Sequence, residues 1–195
     1  MLPNDTTRIG GTHMNLLSAE IIETPIGNMQ AIASARGLCA LEFVTPSRQQ
    51  LLMARLSRWF STERIEWRSH SVIDDAKRWL QFYFNGRFNE LFELMVDLRG
   101  TPFELRVWKE LRHIKIGRTI SYSELATLIG KPKGSRAVGG ASRRNPMSLI
   151  IPCHRVIGVG GRLTGYGGGV GQKQYLIEHE IPTKRRVSLC HEGIG

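Results

Sequence analysis

Residues 121 to 146 read SYSELATLIGKPKGSRAVGGASRRNP, and this stretch decides the class of fold. Ser121-Tyr122-Ser123-Glu124 opens a short helix that runs through Leu125 to Ile129 and stops at Gly130-Lys131-Pro132-Lys133-Gly134. A second helix starts near Ser135, covers Arg136 to about Arg144, and is ended by Asn145-Pro146, because proline disfavours helix in the residue before it. Two short helices around a glycine turn predict a helix-turn-helix. Its second helix is unusually smooth, with Ala137-Val138-Gly139-Gly140-Ala141 where bulky polar residues would read the major groove. Glycine in a helix costs about 1 kcal/mol relative to alanine, so the pair needs a reason. Tight helix packing is one, and a slim surface suited to the minor groove is another.

Upstream, Arg99-Gly100-Thr101-Pro102 is a polar turn with Thr101 placed as an N-cap and Pro102 at the first helical position. The helix it opens, residues 103–113, puts Phe103, Val107, Trp108 and Leu111 on one face. A domain boundary is expected here. Before it, the short apolar runs between residues 16 and 44 are separated by Thr24-Pro25-Ile26-Gly27-Asn28 and Arg36-Gly37, which predicts a small antiparallel sheet. Helical spacing follows at residues 49–60, through Leu52, Leu56, Trp59 and Phe60, and again at residues 73–84. The expected fold is α/β (α+β). It has an amino-terminal α/β domain, 1–99, and a mainly helical domain, 100–182, bearing a winged-helix-like helix-turn-helix. The tail, 183–195, has no assigned role and is compatible with disorder.

Charge is distributed to match. Residues 1–100 carry 11 lysines and arginines against 11 acids, whereas residues 101–186 carry 16 against 5. A basic half of that kind is the footprint of a surface that lies on phosphates. No apolar stretch approaches the length of a membrane span, and residues 1–15 lack the apolar run of a secretory signal, so a cytoplasmic protein is expected. Three cysteines, Cys39, Cys153 and Cys190, are too few and too scattered for a disulfide framework, and their spacing gives no zinc site. Neither a metal nor a cofactor is expected.

Within Ile150-Ile151-Pro152-Cys153-His154-Arg155-Val156-Ile157-Gly158, a reactive-type pair is framed by apolar residues. A lone cysteine in such a setting is often a buried structural one. Cys153 is, however, the one cysteine of the basic half, and His154 and Arg155 beside it are expected to lower its pKa and to supply a base.

The segment Pro152-Cys153-His154-Arg155-Val156 resembles the signature of the methylated-DNA–protein-cysteine methyltransferases, or 6-O-alkylguanine-DNA alkyltransferases. The resemblance extends from Thr101-Pro102-Phe103 through Ser121-Tyr122, Arg136-Ala137-Val138-Gly139, Asn145-Pro146 and Gly165-Tyr166 to Glu180, in the family's order. In the first hundred residues it is looser, resting on the turn Thr24-Pro25-Ile26-Gly27 and on general pattern. It implies that Cys153 accepts an alkyl group from 6-O-alkylguanine, and less well from 4-O-methylthymine, in one irreversible displacement. His154 would deprotonate Cys153 through a water, Glu180 would orient His154, and Tyr122 would protonate the leaving oxygen. Arg136 would fill the hole left when the nucleotide is flipped out, at a cost of a few kcal/mol. Ala137, Gly139, Gly140 and Ala141 would lie on the DNA, with Arg143 and Arg144 touching phosphates or forming a solvated helix end. Asn145 would hydrogen-bond within the site and tie the recognition helix to the Cys153 segment, and the backbone of Val156 and the Tyr166-Gly167-Gly168 loop would contact the flipped base, glycine permitting close approach.

The implied partner is double-stranded DNA carrying alkylated guanine, met by a monomer that can be cooperative on DNA. Ser142 and Arg143-Arg144 stand where family members differ widely. Two other readings are a lesion-binding protein without transfer, which the presence of Cys153 opposes, and a cysteine hydrolase, which leaves the basic half unexplained. The glycine-rich residues 165–171 lack the Lys-Ser/Thr ending of a nucleotide-binding loop. No second cysteine cluster marks a fused transcription activator, so the stand-alone repair form is expected.

Overall fold

The computed structural model describes residues 16–60 and 64–181. The amino-terminal residues 1–15, and the tail with Cys190, lie outside them.

Three antiparallel strands open the chain: β1 (Leu17–Ile22), β2 (Met29–Ser34) and β3 (Gly37–Phe43). Helix α1 (Pro46–Phe60) follows, then β4 (Ile65–Trp67) and helix α2 (Ser71–Phe84). The sheet order is β3-β2-β1-β4, and β4 runs parallel to β1, so the sheet is mixed rather than purely antiparallel. Sequence reading misses β4 because Ile65-Glu66-Trp67 is three residues long with a charge at its centre. Both faces of the sheet are covered. Leu17, Ala19, Ile32, Cys39 and Ala40 pack on Leu52, Leu56 and Phe60 of α1. On the other face Ala31, Ala33, Leu38 and Leu41 meet Ile73, Ala76, Leu80 and Tyr83 of α2. Burial from both sides explains why β2 and β3 are almost continuously apolar.

Helix α3 (Pro102–His113) begins as the sequence dictates, with Thr101 and Glu104 forming a capping box and Pro102 at its start. Trp108 is fully buried and its indole N–H donates to the Ala141 carbonyl at 2.9 Å, locking α3 to the helix-turn-helix. That motif consists of α4 (Tyr122–Leu128), capped by Ser121 and Glu124, and α5 (Ser135–Arg143). Gly130, at φ +71, makes the left-handed turn after α4. A two-stranded parallel ribbon, β5 (Ile120–Ser121) with β6 (Val156–Ile157), occupies the wing position, and α6 (Val170–Glu180) closes the described chain.

The outer edge of β3 is where the two halves meet. Leu38 forms a bridge with Val96, just before α3, and Leu41 forms one with Met147, just after α5. Leu41 donates to the Pro146 carbonyl at 2.8 Å and accepts from the Ser148 N–H at 2.9 Å. One hydrophobic cluster runs from Leu41 and Tyr83 through Trp108 to Cys153. Among the described residues no helix is long and apolar enough to cross a membrane.

Candidate active site

After α5 the chain turns tightly through Asn145, passes Leu149 at φ +74, and enters a 3-10 turn at Cys153–Arg155. Asn145 is fully inside this turn. Its Oδ1 accepts from the Met147 N–H at 2.9 Å, while Nδ2 donates to the Ile151 carbonyl at 2.7 Å and to the Cys153 sulfur at 3.3 Å. Cys153 thus sits, 8 % exposed, at the floor of a cleft of about 770 Å³. Tyr122, Arg136, Gly139, Arg143, Tyr166 and Gly167, all candidates from the sequence for the site or for DNA contact, line the same cleft, and α1 supplies Ser47, Arg48, Gln50 and Leu51.

Behind the cysteine lies a buried ionic cluster. The Glu180 carboxylate, 2 % exposed, accepts from the Tyr83 hydroxyl at 2.7 Å, from His154 Nε2 at 2.8 Å, from two Arg155 nitrogens at 2.8 Å each, and from the Gly117 N–H at 3.2 Å. Burial alone would raise its pKa, but the hydrogen bonds and charges of His154 and Arg155 outweigh this and hold it well below the usual carboxylate range. An ionised carboxylate only accepts, so the His154 proton is on Nε2 and Nδ1 is left with a bare lone pair. Nδ1 is buried and has no protein partner. Burial also pushes His154 below its ordinary range, against the opposing pull of Glu180, so the imidazole is neutral at physiological pH.

The expectation that His154 and Arg155 lower the pKa of Cys153 needs correction. Burial raises the thiol, and the groups that oppose the rise are the Asn145 N–H and the charges of Arg48 and Lys173. Arg155 is turned away onto Glu180 and the Ile114 carbonyl. Cys153 therefore rests as a thiol, surrounded by groups that favour the thiolate once a base removes the proton.

Lys173 is fully buried, its Nζ donating to the Val156 carbonyl at 2.6 Å and the Thr164 carbonyl at 3.1 Å, 5.8 Å from the Tyr122 ring centroid. Arg48 is fastened to buried Glu42, to the Arg143 carbonyl at 2.6 Å and to the Asn145 carbonyl at 2.9 Å. Glu42 also accepts from the Ser148 hydroxyl at 2.6 Å. Reading the sequence assigns no role to Lys173, Arg48, Glu42, Ser148 or Tyr83, because each finds its partners only across the fold. Arg155 stands inside the signature, yet its role emerges only from the fold.

The smooth helix α5 is placed as follows. Arg136, Ala137, Arg143 and Arg144 are exposed, and Gly139 and Gly140 are half-buried. An added Cβ at Gly139 would meet only the Tyr122 ring, at 3.7 Å, and one at Gly140 only the Arg144 guanidinium, at 3.4 Å. Tight helix packing is therefore not what the two glycines provide. Ala141 is a correction: it is 0 % exposed, packed beneath the helix, and cannot lie on DNA. Arg144 is drawn onto Glu104, Nε to Oε1 at 2.5 Å, instead of standing free for phosphate. Val156 is buried, with its N–H on the Cys153 carbonyl and its own carbonyl on Lys173. Gly167 and Gly168 are required by the first half of the chain, because a Cβ would come within 3.0 Å of Arg48 and 2.9 Å of Phe43 respectively.

A buried thiol beneath a helix-turn-helix, backed by a neutral imidazole and an ionised carboxylate, defines a DNA-binding protein built around a cysteine nucleophile. The particular family follows from comparison with known proteins. Residues 102–181 match the DNA-binding domain of 6-O-methylguanine DNA methyltransferase, and residues 17–98 match its ribonuclease-like domain. The chain belongs to the methylated-DNA–protein-cysteine methyltransferases, enzymes of DNA repair. It is 40% identical over 161 residues to the enzyme of that name from Methanosarcina barkeri, covering 83% of this chain and 95% of the relative. With the Shigella flexneri enzyme it shares 38% over 166 residues, 84% of this chain and 95% of the relative. Among solved structures, the O6-methylguanine methyltransferase of Mycobacterium tuberculosis superposes with a TM-score of 0.67 at 36% identity, covering 88% of this chain and 98% of that one. The M. tuberculosis OGT in complex with DNA gives 0.68 at 37%, covering 87% and 97%.

Proposed function

We propose that the protein reverses alkylation of DNA by moving the alkyl group from the 6-oxygen of guanine to Cys153, once per chain. The observation that carries this reading is the sulfur of Cys153 in a cleft, hydrogen-bonded by Asn145 and followed in the chain by His154, whose buried Nδ1 has no protein partner. His154 Nδ1 takes the thiol proton through an intervening water, and Glu180, fixed by Arg155 and Tyr83, steadies the imidazolium that results. The thiolate attacks the alkyl carbon, forming an S–C bond as the C–O bond breaks. The electron pair passes to the guanine oxygen and ring, and the Tyr122 hydroxyl supplies the proton that neutralises the base. A thioether is not displaced by water under these conditions, so each chain acts once. 4-O-methylthymine, with the same oxygen–alkyl bond, is a lesser substrate.

Because the attacked carbon lies inside the stacked duplex, the nucleotide is turned out into the cleft while exposed Arg136, at the start of α5, enters the stack. The slim face at Ala137, Gly139 and Gly140 suits the minor groove, and Arg143 reaches phosphate. Tyr166 and the backbone of residues 165–168 border the base. The reading assigns the chemistry to residues 100–182 and a positioning role to residues 1–99, in a monomer that works in the cytoplasm, where thiols stay reduced.

Intact-protein mass spectrometry after incubation with a duplex carrying one 6-O-methylguanine tests this. The expected result is a gain of about 14 Da, mapped to Cys153, capped at one per chain and absent from Cys153→Ala. An unchanged mass with the lesion intact and the protein bound to it would overturn transfer and leave recognition alone.

A further inference from the structure

We propose that α1 carries a second phosphate-binding patch, formed by Arg55 and Arg58 beside Arg144, that holds the sugar–phosphate backbone of bound DNA next to the cleft. The proposal rests on the DNA-repair reading above and extends it to a half of the chain whose net charge is zero.

That neutrality hides a segregation. Helix α1 contains Arg48, Arg55 and Arg58 and no acid. Of the acids of the first half, Glu42 is taken up by Arg48, while Glu20 and Asp74 lie on Lys77 and Asp75 on Arg78. A cavity of about 380 Å³ opens between α1, the start of α3 and the end of α5, lined by Arg55, Arg58, Trp59, Glu104 and Arg144. Arg48 and Leu51 line both this cavity and the cleft above Cys153, so the two are neighbours across a single wall.

Carboxylates around the cavity are already committed. Glu104 holds Arg144 and closes the Thr101 capping box, and Glu42 holds Arg48 and Ser148. Arg55 and Arg58 are left without a hydrogen-bonded or ion-paired carboxylate among the described residues. The Arg55 guanidinium is held in place, 4.7 Å from the Trp108 ring centroid and donating to the carbonyls of Arg99 and Arg144, while exposed Arg58 lies over Trp59, 5.0 Å from its ring centroid. Burial lowers the pKa of Arg55 to about 10, with Glu104 opposing and Arg144, Arg48 and Arg58 adding to the fall, yet it remains a cation at neutral pH. Guanidinium groups that repel one another and have no carboxylate partner among the described residues suit a phosphate, which accepts the planar fork of arginine. Continuity with the cleft, and the wall supplied by Arg144 from the DNA-binding half, select the DNA backbone as the source of that phosphate.

Salt-dependent binding of a lesion-free duplex decides the matter, read by fluorescence anisotropy for the wild type, Arg58→Gln, Arg55→Gln/Arg58→Gln, and Arg78→Gln as a control on the acidic side. The logarithmic salt slope should fall by about 0.9 for each phosphate that is no longer neutralised, with affinity reduced several-fold at moderate salt, while Arg78→Gln binds as the wild type. Transfer from a free 6-O-alkylguanine base, which needs no duplex, should stay unchanged and report an intact site. Exposed Arg58 makes the single variant informative even if the double variant folds poorly. An unchanged slope in Arg58→Gln, an equal effect of Arg78→Gln, or binding of a free nucleoside monophosphate with no change in duplex slope would each overturn the patch. A wild type that binds no duplex at all would remove the repair reading and the patch with it.

Discussion

Asn145 donates its side-chain N–H to the sulfur of Cys153 at 3.3 Å, and the same nitrogen donates to the Ile151 carbonyl at 2.7 Å. One side chain therefore shapes the turn that delivers the cysteine and also stabilises negative charge on it. Removing it in Asn145→Ala leaves a buried carbonyl unpaired and the thiolate short of one donor. A hydrogen bond to a charged group contributes about 1.5–3 kcal/mol, so single-turnover transfer should slow on the order of 10- to 100-fold. Urea denaturation should show a loss of about 1–3 kcal/mol. A destabilised protein with an unchanged transfer rate would confine Asn145 to shaping the turn.

His154 is neutral and carries its bare lone pair on Nδ1, so the base is in its active form at neutrality and below. Rapid-quench measurement of transfer should give a flat profile from neutral pH down past the ordinary imidazole value of about 6.5, since its own pKa is depressed. In His154→Gln the thiol must be deprotonated by solvent, and burial holds its pKa high. That variant should be strongly impaired at neutrality and gain about tenfold per pH unit on the alkaline side. A flat profile in the variant would mean that another group removes the proton.

Acid stability has a definite sign. Glu180 is depressed in the folded state, so its contribution is fully present above the unfolded value of about 4.3 and is lost as pH falls toward its folded value. His154 is depressed too, which means that the unfolded chain takes up its proton first, below about 6.5, and stability again falls with pH. The two shifts add, and urea midpoints should decline from near pH 6.5 and more steeply below 4.3. Glu180→Gln should be the weaker protein at pH 7 yet lose less between pH 5 and pH 3. Parallel losses in both proteins would show that other groups govern the acid limb.

Arg48 and Glu42 form a buried pair that joins α1 to the Asn145 turn. Arg48→Leu leaves Glu42 buried and uncompensated, for an expected loss of about 3–5 kcal/mol, whereas Arg48→Leu/Glu42→Leu should recover much of it. Thermal or urea unfolding of the four proteins of this cycle measures the coupling. Simple addition of the two single losses would argue that the pair is not coupled.

Gly168 stands where a methyl group would come within 2.9 Å of the Phe43 ring, while Gly171 has nothing within 4 Å. Gly168→Ala should shift the 165–168 loop and impair both stability and transfer, and Gly171→Ala, inside α6, should be neutral or slightly stabilising. Phe43→Leu in the Gly168→Ala background should restore part of the loss. Equal behaviour of the two alanine variants would sever the link between this loop and the sheet.

The helical elements are legible because their signals are local. Thr101-Pro102 with Glu104 announces α3, and Ser121 with Glu124 and Gly130 brackets α4. Cys153, His154 and Glu180 are legible through motif and order, and the structure brings all three together. What stays hidden depends on distant partners. Lys173 looks like a surface lysine until α6 is packed, Arg48 like a helix solvator until α5 lies against α1, and Ala141 like exposed Ala137 until Trp108 is seen beneath it. The strand β4 owes its existence to an edge offered by β1, which three residues cannot advertise.

The bridge between Leu41 and Met147 is made by peptide groups alone. Main-chain donors and acceptors are the same in nearly every sequence, so this attachment places almost no demand on which side chains flank it. Lineages could exchange most residues of the sheet and still hand the acceptor segment the same rail to lie on, provided the register of one strand edge survived. Delivery of the reactive geometry through the backbone leaves the side chains of that strand edge free to serve the core, while the acceptor segment keeps its seat.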